Sequence, residues 1–147
     1  MPKLSWIEIP LFLGALAIVI SFGITYLVSD SPYVAVRVQP TSIQPGGQLT
    51  IAASLKNLRD SPIRLTFSSS LTFDFEVSGK NGYYRWSKDK FFLMVITVVE
   101  LKAGEERDIT FTWTANLPPG DYQVKVFLEP MSSPRLESRA VAITIGS

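Results

Sequence analysis

Three consecutive serines, Ser68, Ser69 and Ser70, stand just before two carboxylates spaced by one residue, Asp74 and Glu76. Both groups lie in the stretch FSSSLTFDFEVSGKNGYYRWS, which runs from Phe67 to Ser87. A serine beside a base is the pattern of an acyl-transfer nucleophile, and paired carboxylates serve glycoside hydrolysis or hard-cation binding. The rest of the chain removes the partners that this chemistry needs. It contains no histidine and no cysteine, which excludes Ser-His-Asp and Cys-His catalysis, thiolate metal sites and most transition-metal sites. None of the three serines begins an S-x-x-K pattern. They read as connection residues whose hydroxyls satisfy local backbone groups. The carboxylates read as solvated face residues with Arg85 as neighbour. No EF-hand, P-loop or dinucleotide fingerprint is present, so no catalytic residue, metal or cofactor is expected. With a net charge of +1 over 147 residues, and no interleaved basic and aromatic groove, nucleic acid is not an expected partner.

The elements that carry these residues are strands. From Tyr33 onward apolar residues recur with period two: Val34 to Val38, Leu49 to Leu55, Ile63 to Phe67, Leu71 to Val77, Ile109 to Trp113, Tyr122 to Leu128 and Val141 to Ile145. Turn signals separate them at Pro45-Gly46-Gly47, Asp60-Ser61-Pro62, Ala103-Gly104-Glu105 and Pro118-Pro119-Gly120. Seven to nine short strands without a helical period predict an all-β, antiparallel, immunoglobulin-like β-sandwich over residues 33–147. Within it, Asn81-Gly82 predicts a two-residue type I′ hairpin turn that pairs Lys80 with Tyr83 and Val77 with Trp86. Val77 and Trp86 then share the core face, and Ser78 meets Arg85 on the other.

Phe91 to Val99, FFLMVITVV, fits this pattern least well. If Leu101, Val99, Thr97 and Val95 face the core, Met94, Ile96 and Val98 face outward, with Phe91, Phe92 and Leu93 at the end of that face. Phe91, Phe92, Leu93, Met94, Ile96 and Val98 are therefore the candidate partner surface, and an edge strand this apolar is suited to strand addition by another chain. Burial of both faces, by a second sheet, a loop or the membrane, is the alternative.

Residues 9–28, IPLFLGALAIVISFGITYLV, carry no charge and lie between Glu8 and Asp30. As a helix they span roughly 30 Å, the hydrocarbon thickness of a bilayer. Trp6 and Tyr26 suit its interfacial belts. The run exceeds the ~7–15 residues of a signal-peptide core, and no A-x-A site follows. The expected organisation is an N-terminal tail (1–8), an uncleaved transmembrane helix (9–28), a short linker (29–32) and the sandwich (33–147). Lys3 and the terminal amine precede the span, which favours a single-pass protein with its domain outside the cytoplasm.

Two stretches carry family resemblances. LSWIEIPLFLGALAIVI resembles the start of mature type IV pilin-like proteins, in which a Glu stands fifth; counted from Leu4, that residue is Glu8. Lys3 stands where that family has Gly or Ala at the processing site, and Pro10 interrupts the early helix. Between Pro45 and Glu129, the order N-x-x-x-x-P, T-F-S-S, F-D-F-x-V, R-W-S, L-x-x-G-E and a late Trp resembles the BsuPI domain, named for a bacterial intracellular proteinase inhibitor. That resemblance implies an immunoglobulin-like sandwich and an inhibitor-like role, with no reactive-site residues to transfer. The expected function is a non-catalytic, membrane-anchored binding module whose partners are the lipid bilayer and a protein, either a protease or an assembly subunit. The alternative is a structural subunit of a surface filament or its base, with a pilin-like helix and a sandwich head. Self-association is compatible with either.

Overall fold

Alternating side chains give each strand one inward face, and the computed structural model, which describes residues 32–147, contains eleven strands. They are β1 (Tyr33–Gln39), β2 (Ser42–Ile43), β3 (Gln48–Lys56), β4 (Ile63–Phe67), β5 (Phe73–Gly79), β6 (Gly82–Arg85), β7 (Thr97–Leu101), β8 (Glu106–Thr114), β9 (Gly120–Leu128), β10 (Leu136–Glu137) and β11 (Val141–Ile145). A single 3-10 turn, Trp86–Asp89, follows β6. The tail 1–8, the span 9–28 with its boundary residues Trp6, Glu8, Tyr26 and Asp30, most of the linker, and the pilin-like start all lie outside the described residues. Among the described residues no helix is long and apolar enough to cross a membrane.

One sheet has the order β1-β3-β8, and the other β2-β11-β9-β5-β6 with β10 also pairing β9. Between them the inward faces form one core that includes Leu49, Ile51, Leu55, Phe75, Val77, Trp113, Val124, Val126 and Ile143. Each large side chain buried there contributes about 1.5–3 kcal/mol. Strand order and packing are those of an immunoglobulin-like sandwich. The strand count exceeds the expected seven to nine because β2 and β10 are two-residue strands. The sheet is also not wholly antiparallel. After β1 the chain crosses between sheets at the cis Gln39–Pro40 peptide, and β2 then runs parallel to β11.

This crossing distinguishes the two ends of the sandwich. Ile43 pairs with Ile145, which in turn pairs with Gly120, and Gly79 pairs with both Tyr122 and Gly82. Gln39, Gly120 and the β5–β6 turn therefore share the distal end. Tyr33 pairs with Lys56, Lys56 with Glu106, and Phe73 with Leu128. These mark the proximal end, where the sandwich meets the preceding part of the chain.

The ribbon β4–β7 closes the proximal end, with Ile63, Leu65, Phe67, Val99 and Leu101 buried. It continues the β3–β8 ladder past a bend at Asn57, whose side chain is fully buried. The Asn57 Nδ2 donates to the carbonyls of Ser61 (3.0 Å), Leu101 (3.2 Å) and Lys102 (3.0 Å), and its Oδ1 accepts from the Arg59 amide (3.0 Å). One side chain thus ties the β3–β4 bend to the β7–β8 bend. Gly104 completes the second bend at φ +75°, a conformation that favours glycine.

The β5–β6 register differs from the expected one by two residues. Val77 pairs with Tyr84, Ser78 with Tyr83 and Gly79 with Gly82, so Lys80-Asn81 are the central turn residues. Among the described residues none other than glycine has positive φ, which excludes the type I′ turn. The physical reason lies across the distal end: Asn81 Nδ2 donates to the Pro119 carbonyl at 3.0 Å. A β-carbon at Gly82 would stand 3.1 Å from Leu117 Cδ2. A slip of two leaves the faces unchanged, so Tyr84 and Trp86 still pack on the core and Arg85 still points away from it.

Candidate functional site

The corrected register brings Ser87 opposite Asp74, and a buried polar cluster results. Asp74 is 1 % exposed, not solvated as its alternation suggests. Its carboxylate accepts from the Phe75 amide (2.9 Å), the Ser87 amide (3.1 Å), Ser87 Oγ (2.5 Å) and Arg85 Nε (3.0 Å). Arg85 also pairs with Glu129 and lies over the Phe127 ring at 4.8 Å, while Arg135 covers the same ring at 3.8 Å. Burial acts to lower the Arg85 pKa, but the hydrogen bonds and charges of Asp74 and Glu129 outweigh it and hold the guanidinium above its ordinary value. Glu76 accepts from Tyr83 Oη (2.9 Å) and Arg135 (3.2 Å). Burial, then the bond to Glu76, pushes the Tyr83 phenol up. Each oxygen of both carboxylates accepts from at least one donor, so the cluster acts as a brace.

The brace holds the base of a loop. By fixing Ser87, Asp74 fixes the 3-10 turn Trp86–Asp89. Trp86 packs on Phe111 (5.0 Å between centroids) and on Phe92 (5.9 Å), and Lys90 Nζ stands 5.5 Å over the Trp86 ring. On the other side, the Ser70 amide donates to the Leu93 carbonyl (2.9 Å) and the Leu93 amide to Ser70 Oγ (2.8 Å). Ser69 Oγ accepts from the Leu71 amide at 3.2 Å. Ser70 thus anchors Leu93, in the middle of residues 91–96.

Between these pins the segment is not a strand. β7 begins only at Thr97, so the expected inward placement of Val95 does not hold: Val95 is 52 % exposed, because 91–96 has no ladder partner to fix alternation. Of the residues singled out in the sequence, Phe91 is 103 % exposed, Met94 85 %, Leu93 70 %, Ile96 63 % and Val98 39 %, while Phe92 is half-buried on Trp86. The sequence reading missed Asn57 and Ser87, and gave Ser70 a local backbone role where its hydroxyl accepts from the distant Leu93 amide. Asn57 and Ser87 stand inside the resemblance motifs, but a motif names positions without their partners.

Among the described residues no group of three or more His, Cys, Asp or Glu comes together as a metal site. Beside the loop base, Ser68, Ser69, Asp74 and Glu129 line a cleft of about 250 Å³, below the ~300–1,000 Å³ common for small-molecule sites. The arrangement is suited to contact, with a rigid root and an apolar crest.

An immunoglobulin-like sandwich with a braced apolar loop is the frame in which the comparisons fall. The family described as intracellular proteinase inhibitor, BsuPI, matches residues 36–132, and the chain belongs to that family. No curated protein sequence matches it. Among solved structures, it is similar to Spo0M, the sporulation control protein from Bacillus subtilis, at 13 % identity and a TM-score of 0.53. That match covers 80 % of this chain and 50 % of Spo0M, so the chain spans half of that relative's length. It is also similar to the β-glucosidases EmGH1 from Erythrobacter marinus (15 % identity, TM-score 0.46, 78 % of this chain and 15 % of that one) and from Listeria innocua (16 %, 0.45, 79 % and 16 %). At such identities the Spo0M match speaks to the fold alone.

Proposed function

We propose that this protein is a non-catalytic, membrane-anchored recognition module that meets a protein partner at the membrane surface with its loop Phe91–Ile96. The partner class that the family name favours is a protease. The observation that carries this reading is the apolar crest on a braced root. Of the six consecutive large side chains from Phe91 to Ile96, all but Phe92 stand exposed, although burying them in the domain would stabilise it. Preorganisation lowers the ordering cost of binding, so a pinned loop is better suited to contact than a free one. Membrane attachment rests on the uncharged run 9–28 in the sequence. The test is titration of a broad protease panel with the domain 32–147. Stoichiometric inhibition of at least one enzyme is expected. If high concentrations inhibit none, the protease reading falls.

A further inference from the structure

The exposed apolar side chains are not spread over the domain. Among the described residues nine large hydrophobics are exposed, and all but Tyr83 lie towards the proximal end. Phe91, Leu93, Met94, Val95, Ile96 and Val98 belong to the loop and the start of β7. Leu58 follows the Asn57 bend, and Met131, three residues beyond β9, donates its amide to the Thr66 carbonyl of β4. This is the end at which Tyr33 starts the first strand. Only the residues 29–32 separate it from the uncharged run 9–28. Four residues reach at most ~14 Å, whereas the nine-residue strands β3, β8 and β9 each extend ~30 Å. A linker that short holds the proximal end, and not the distal one, at the bilayer.

From this coincidence we infer that the proximal end is a lipid-facing surface: in the absence of a protein partner, Phe91, Leu93 and Met94 seat in the headgroup region of the bilayer, with Leu58 and Met131 beside them. Side chains of an apolar surface reach ~5–10 Å into that boundary while the backbone stays hydrated. The inference rests on the membrane attachment proposed above but is independent of which protein the loop recognises.

The chain lacks cysteine, so single labels need no prior substitution. The full chain is placed one copy per nanodisc of phosphatidylcholine and phosphatidylglycerol, with an environment-sensitive fluorophore on Met94→Cys, Met131→Cys or, at the distal turn, Lys80→Cys. Quenchers carried on shallow acyl positions are expected to quench the Met94→Cys and Met131→Cys labels several-fold more than the Lys80→Cys label. Equal quenching at all three positions overturns the proposal, as does solvent-like emission at Met94→Cys in a chain that stays with the disc. A chain that does not stay with the disc overturns it together with membrane attachment. Quenching that persists in phosphatidylcholine alone supports apolar seating, whereas its loss there refutes it in favour of headgroup charge. Protease inhibition, read separately, is unaffected by any of these outcomes.

Discussion

Asn57 and Asp74 are buried polar side chains, and each has more partners than a surface residue would keep. Removing either leaves its partners without water to replace the lost bonds. Asn57→Ala strands carbonyls of Ser61, Leu101 and Lys102, and a loss of about 2–4 kcal/mol in urea unfolding is expected. Asp74→Ala leaves Arg85 with Glu129 as its only carboxylate partner, and about 3 kcal/mol is expected from the same measurement. Tyr83 makes a pH prediction. Its folded pKa lies above the ordinary 10.0 of a phenol. Its contribution is therefore complete below that pH and is lost as pH rises through the elevated folded value. Stability should fall more steeply on the alkaline side in wild type than in Tyr83→Phe, and a difference titration at the phenolate absorbance should show the missing step above 10.0. The residue types were legible in the sequence, but these roles were not. Alternation marks Asp74 as outward-facing, and only the covering of that face by Ser87, Arg85 and Phe127 makes it buried.

At the scale of elements, strand positions follow the period-two pattern closely, since alternation and turn residues are local signals. Register is not local. Asn81-Gly82 favours a type I′ turn by itself, yet the bond from Asn81 to Pro119 draws the turn back by one position on each strand. Residues 91–96 were readable as apolar and unusual, but their lack of a ladder partner was not readable from composition. Their root makes a prediction of its own. Ser70→Ala removes the acceptor for the Leu93 amide but keeps the Ser70 backbone bond. Hydrogen exchange at Leu93 should quicken, with a global cost of only about 1 kcal/mol. Unchanged exchange at Leu93 would mean that the loop is held by other contacts.

For the whole molecule, the sandwich is a stiff body with unlike ends. The distal end is closed by the Asn81–Pro119 contact, and the proximal end gathers the exposed apolar side chains and the entry of the chain. On the proposed membrane attachment, the mass of the protein isolated from its native source should include residues 1–31; a mass lacking them would remove the anchor, and one lacking only residues 1–3 would favour the pilin-like alternative. The most direct test of the central claim, recognition through the apolar crest, compares wild type with Leu93→Asp/Met94→Asp. Both positions are exposed, so folding stability should stay within about 0.5 kcal/mol per site. Against the protease that wild type holds most tightly, an inhibition constant at least tenfold weaker is expected for the variant, ~1.4 kcal/mol. Equal inhibition by the variant and wild type would contradict it.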